Sequence, residues 1–95
     1  MPHNAQKIHD IRMHDAMVID FNEIDKTFEM IFNDGALKFT FTNVQTLTIP
    51  DRLTESWWLY DEIYPAKHGF ELRVLFNDMS ELFLVAENVL IEEQN

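Results

Sequence analysis

Two histidine–aspartate pairs, His9-Asp10 and His14-Asp15, are the residues best suited to hold a metal ion, because imidazole and carboxylate together suit several divalent cations. Metal-dependent phosphohydrolases of the His-Asp type add further ligands from helices, and no helical scaffold surrounds either pair. Structural roles are therefore expected: His9-Asp10 in a frayed lead, and His14-Asp15 at the entry to the first strand, where Asp15 accepts backbone N–H groups. No role is assigned to His68, and no metal or other cofactor is expected. Catalytic candidates are no stronger. Ser56 and Ser80 are the only serines, and neither sits in a Gly-x-Ser-x-Gly elbow. A hydroxyl without a base and an oxyanion hole is a weak nucleophile. The cluster with binding chemistry is Trp57-Trp58-Leu59-Tyr60-Asp61-Glu62-Ile63-Tyr64. Within it Trp58, Asp61 and Glu62 are the candidate partner-binding residues, an aromatic anchor with an acidic rim.

Composition narrows the classes. The chain has 95 residues, 7 Lys and Arg against 17 Asp and Glu, hence a net charge of −10 with histidine neutral. That length fits one domain, residues 1–95, with residues 1–10 as a frayed lead. A hydrophobic fraction of 46% with 13% aromatic is too high for a disordered acidic chain, so the charge decorates a folded body. Zero cysteine removes disulfides, thiol catalysis and thiolate metal sites, and fits a reducing cytoplasm. The start of the chain lacks the pattern of a signal peptide, and no apolar run reaches the length of a membrane span. Strong negative charge opposes binding to nucleic acid and to anionic lipid.

Hydrophobic periodicity predicts the elements that position the cluster. Period two runs through Met17, Ile19 and Phe21, then through Phe28, Met30 and Phe32, and Asn33-Asp34-Gly35 supplies turn chemistry before Leu37, Phe39 and Phe41. Val44, Leu47 and Ile49 continue the third strand past a bulge near Asn43 or Gln45, and Pro50 stops it. A helix is expected from Thr54 as N-cap to Ile63 or Tyr64, ended by Pro65. At 100° per residue, Trp57, Leu59, Tyr60, Ile63 and Tyr64 share the buried arc, and Trp58 falls outside it with Asp61 and Glu62. Folding of the Trp58 ring over Leu53 is the competing reading. Strands return at residues 70–76 and 81–86, with Val89 and Ile91 extending the last one. No internal repeat is evident. The order βββαββ predicts an α+β fold, a curved, mostly antiparallel sheet of about five strands with one helix packed across it.

The string His14-Asp15-Ala16, two hairpin strands, Trp58-Leu59-Tyr60-Asp61-Glu62-Ile63, then Gly69-Phe70-Glu71-Leu72-Arg73-Val74-Leu75 and a closing strand resembles a group of small uncharacterised bacterial proteins. The resemblance covers roughly residues 14–92, implies the fold and a bacterial cytoplasm, and carries no catalytic signature. A looser similarity to small acidic immunity proteins implies neutralisation of a toxin.

The leading expectation is a non-enzymatic, acidic protein-binding module, an immunity-type inhibitor of a basic partner. Binding of a small apolar ligand between helix and sheet, and homodimerisation through the open sheet face, are the alternatives.

Overall fold

Seven short stretches of alternating apolar residues and one three-residue run all become strands in a computed structural model that describes residues 4–94. They are β1 (Val18–Ile24), β2 (Thr27–Phe32), β3 (Leu37–Thr42), β4 (Thr46–Thr48), β5 (Trp58–Ala66), β6 (Gly69–Phe76), β7 (Glu81–Ala86) and β8 (Asn88–Glu93). Every pairing is antiparallel, and the strands form two four-stranded sheets, ordered β1-β2-β3-β8 and β5-β6-β7-β4. Alternation along each strand turns one face inward. Phe28, Phe32, Phe39 and Phe41 from the first sheet meet Trp58, Phe70 and Phe76 from the second, all buried. Ring centroids lie 5.8 Å apart for Phe32 and Trp58, 6.1 Å for Phe39 and Trp58, and 6.2 Å for Phe41 and Phe70. Offset and edge-on aromatic contacts therefore join the two sheets.

This all-β sandwich overturns the expected α+β fold. Residues 54–64 form no helix: Thr54 and Glu55 lie in a turn, and Trp58 begins β5. Aromatic and β-branched side chains lose rotamer freedom against a helical turn and fit a pleated strand, so Trp57 to Tyr64 favours the strand. Pro65 does not oppose this, because β5 is an edge strand and has no second ladder for the missing N–H to break. The only α-helix among the described residues is the single turn α1 (Lys7–Asp10), preceded by a 3-10 turn at Asn4–Gln6. Ala5 and Ile8 are fully buried there, so residues 4–10 are packed against the body rather than frayed, while residues 1–3 lie outside the described residues.

The expected absence of a repeat is also corrected. β1 and β5 each carry a register shift two residues from their start, between Val18 and Asp20 and between Trp58 and Tyr60. The segments before them match bond for bond. The Asp15 N–H donates to the Trp58 carbonyl and the Glu55 N–H to the Val18 carbonyl, at 2.8 and 2.7 Å. Val18 donates to Ser56 and Trp58 to Ala16, at 3.0 and 2.9 Å. Asn33 Oδ1 accepts from the Met17 N–H at 3.0 Å, and Asn77 Oδ1 accepts from the Trp57 N–H at 2.7 Å. Residues 12–24 thus correspond to 52–64, and 32–42 to 76–86, about an internal pseudo-two-fold axis. After its meander, each half passes the next strand to the other half's sheet: β4 pairs with β7, and β8 with β3. β4 and β8 are accordingly separate strands rather than extensions of β3 and β7.

Candidate functional site

Strand β5 carries the candidate chemistry on both of its faces. The shift after Trp58 puts Trp58 and Asp61 inward and Trp57, Tyr60, Glu62 and Tyr64 outward, a phase that strict alternation would not produce. Trp58 is 1% exposed, so the sequence expectation that it stands at the surface is reversed. The exposed tryptophan is Trp57, at 47%, which the helical projection had buried. Of the three predicted partner-binding residues, Trp58 lies in the core, Asp61 at its rim and Glu62 on the outer face; they do not converge on one surface.

Inward, the three-residue cluster His9, Asp61 and Trp58 is a closed hydrogen-bond chain. The Trp58 Nε1–H donates to Asp61 Oδ2 at 2.9 Å, and His9 Nε2 lies 2.6 Å from Asp61 Oδ1. A carboxylate only accepts, so Nε2 carries the proton in this pairing. The Asp61 side chain keeps 12% of its exposure and His9 47%, so the strand residue is the buried end of the pair. The contact ties α1 to β5. Between these elements runs an open groove of about 770 Å³, with Ile8 and Ile11 on one wall, Leu59 and Tyr60 on the other, and Arg12 at its side. His14 and Asp15 also line it and pair with each other at 3.2 Å.

Outward, Trp57, Tyr60 and Tyr64 form a row of exposed rings, at 47%, 58% and 45% exposure, and Met79 in the β6–β7 turn adds a further exposed apolar side chain. Asn77 in the same turn is bonded to Trp57, its N–H donating to the Trp57 carbonyl at 2.9 Å, which places Met79 near the head of the row. Register sets Glu62 beside Arg73 and Tyr64 beside Glu71 on the neighbouring strand. Arg73 donates to Glu71 at 2.9 Å and lies 5.2 Å from the Phe83 ring centroid. That bond to Glu71, with its charge, holds the Arg73 guanidinium above its usual pKa. Partial desolvation, then the hydrogen bond to Glu62, pushes the Tyr64 phenol upward, so it stays a neutral donor at physiological pH.

Among the described residues no group of three or more His, Cys, Asp or Glu side chains could hold a metal ion, and no helix is long and apolar enough to cross a membrane. Among the described residues no helix packs across a sheet, and the space between the two sheets is filled by aromatic rings, so the helix-on-sheet pocket expected for an apolar ligand is not formed; the groove beside the single-turn α1 is a different space.

A small β-sandwich with internal two-fold symmetry, swapped fourth strands and an aromatic edge strand flanked by acidic groups defines the class. Within it, the chain belongs to the family described as "Protein of unknown function (DUF4085)", which matches residues 1–85. No curated protein and no solved structure matches the chain.

Proposed function

We propose that this chain is a non-enzymatic binding module whose outward β5 face receives a basic protein partner. The observation that carries the reading is the row Trp57, Tyr60 and Tyr64, three rings left substantially exposed on an edge strand of a body with net charge −10. Exposed apolar side chains gathered in one row mark interaction sites more often than scattered ones, and Trp and Tyr are the residues that most often dominate binding energy. Glu62, Glu71 and Glu81 lie on the same outer face, where the register pairs them with Arg73, Tyr64 and Leu75. The face already holds one guanidinium over an aromatic ring, Arg73 on Phe83, which is the contact a partner's arginine would repeat on Tyr60 or Tyr64. Surplus negative charge accelerates encounter with a basic partner and opposes nucleic acid. The resemblance to small acidic immunity proteins supports a toxin as the partner, and the absence of cysteine supports a reducing cytoplasm as the setting.

The test is capture of a partner from native lysate by the tagged chain at low and high salt, beside Trp57→Ala and the double variant Tyr60→Ala with Tyr64→Ala. A basic protein retained at low salt, released at high salt and lost with the variants is the expected result. Capture that ignores both salt and the variants, or a chain that associates only with itself in solution, overturns it.

A further inference from the structure

Pseudo-symmetry singles out what one half of the chain has that its twin lacks. Arg12 corresponds to Arg52, Asp15 to Glu55, Val18 to Trp58 and Phe21 to Asp61. In the second half Arg52 is held by Glu55 at 3.7 Å. In the first half Asp15 is taken by His14 at 3.2 Å, and Arg12 has no hydrogen-bond or ion-pair partner among the described residues. Asp61 takes the place that Phe21 fills in the twin, and both of its oxygens are engaged, one by His9 and one by Trp58. The two carboxylates that line the groove between α1 and β5 are therefore each closed by a neighbour, and among the described residues the one formal charge on its wall without a partner is the Arg12 guanidinium. Ile11 and Leu59, both half-buried, supply apolar surface beside it.

We propose that this groove binds a small organic anion, a carboxylate with an aromatic or branched aliphatic body. The carboxylate pairs with the planar fork of Arg12, and the apolar body lies along Ile11 and Leu59. The groove is open to solvent and has room for such a molecule beside Arg12. Tyr60 borders both this groove and the outer aromatic row, so Arg12, which belongs to the groove alone, and Trp57, which belongs to the row alone, separate the two readings.

Amide spectra of the full chain, titrated with sodium benzoate and separately with benzyl alcohol as the uncharged analogue, test the proposal, with sodium chloride as the ionic-strength control. Saturable shifts from benzoate at Ile11, Arg12 and Leu59 in the millimolar range are expected, with roughly tenfold weaker binding of benzyl alcohol. Arg12→Gln should reduce benzoate to the level of benzyl alcohol, Arg12→Lys should fall between, and Arg52→Gln should bind like the wild type. Arg12 is exposed and has no partner among the described residues, so its variants retain the fold, which the dispersion of the same spectra reports. Shifts that fail to saturate, that scatter away from the groove, or that persist unchanged in Arg12→Gln overturn the proposal.

Discussion

Trp58 donates its indole N–H to Asp61 Oδ2 across 2.9 Å, which ties the largest side chain of the core to the one carboxylate that β5 turns inward. Trp58→Ala should therefore act on folding. A cavity where Phe32, Phe39 and Phe76 now meet the ring should cost about 3–5 kcal/mol, read as a lowered urea midpoint. Asp61→Ala strands a buried indole N–H and should cost about 1–3 kcal/mol. His9→Ala leaves that bond in place and, at 47% exposure, should cost below about 1 kcal/mol. A double-mutant cycle should show coupling between His9 and Asp61. If Trp58→Ala keeps wild-type stability, the core assignment fails.

Gly69 closes the β5–β6 hairpin at φ +138, and a Cβ built on it would stand 2.1 Å from the Ala86 carbonyl oxygen and 2.6 Å from the Glu87 Cα. Backbone atoms cannot swing aside as a side chain would. Gly69→Ala should cost about 2 kcal/mol or more, from steric overlap and the unfavourable φ together. Gly35, at φ +89, has nothing within 4 Å of such a Cβ, so Gly35→Ala should cost only the conformational penalty, about 1 kcal/mol. Thermal melts that rank the two variants the other way would contradict the hairpin geometry.

In the β6–β7 turn the Asp78 carboxylate accepts from the Ser80 hydroxyl and from the Ser80 backbone N–H, and these bonds, the hydroxyl first, hold its pKa below the usual aspartate value. A group whose folded pKa is depressed stabilises the fold above its unfolded value, and that stabilisation disappears as pH falls through the folded value. The gap in urea midpoint between wild type and Asp78→Asn should thus be constant near neutrality and close on acidification below the ordinary aspartate range. Its size is small, because the turn is solvent-exposed. A gap that widens in acid would refute the assignment.

Legibility in the sequence followed the purity of the local pattern. β2 and β3 alternate without interruption and form where the sequence places them, although β3 ends at Thr42 and the expected continuation through Leu47 is the separate strand β4. β5 was misread because the irregularity at Leu59 breaks its alternation, and the five apolar positions that result project equally well onto a helical arc. The exchange of Trp57 and Trp58 between surface and core follows from that one error. The crossing at Asn43 leaves a phase break that reads as a bulge, and neither it nor the one at Glu87 reads as a change of sheet, because the pairing partner that defines each new strand lies far away in sequence. The internal symmetry did leave a trace, Phe32-Asn33-Asp34 against Phe76-Asn77-Asp78, where each asparagine caps the same backbone pair. The Asp61–His9 bond had no such trace, since it joins residues far apart in sequence through a helical turn with one buried isoleucine.

The same symmetry exposes a stored cost that can be removed. Asp15 and Glu55 occupy equivalent turns at φ 71 and φ 74, in the left-handed region. Aspartate tolerates that conformation better than glutamate, whose longer side chain offers the local backbone no comparable hydrogen bond. With only 2 Gly in 95 residues, the chain builds most of its left-handed turns from Asp and Asn, and Glu55 departs from that habit. Its side chain contributes little in return: the ion pair to Arg52 spans 3.7 Å between groups exposed at 78% and 71%. Its backbone N–H bond to the Val18 carbonyl is independent of side-chain identity. Glu55→Gly should consequently stabilise the protein by about 1 kcal/mol, with Glu55→Asn giving a smaller gain, both measured as raised urea midpoints. Asp15→Gly should gain less than Glu55→Gly, because aspartate already suits its turn. Destabilisation by Glu55→Gly would mean that the turn conformation, and with it the matched pair of half-chains, is not the one described.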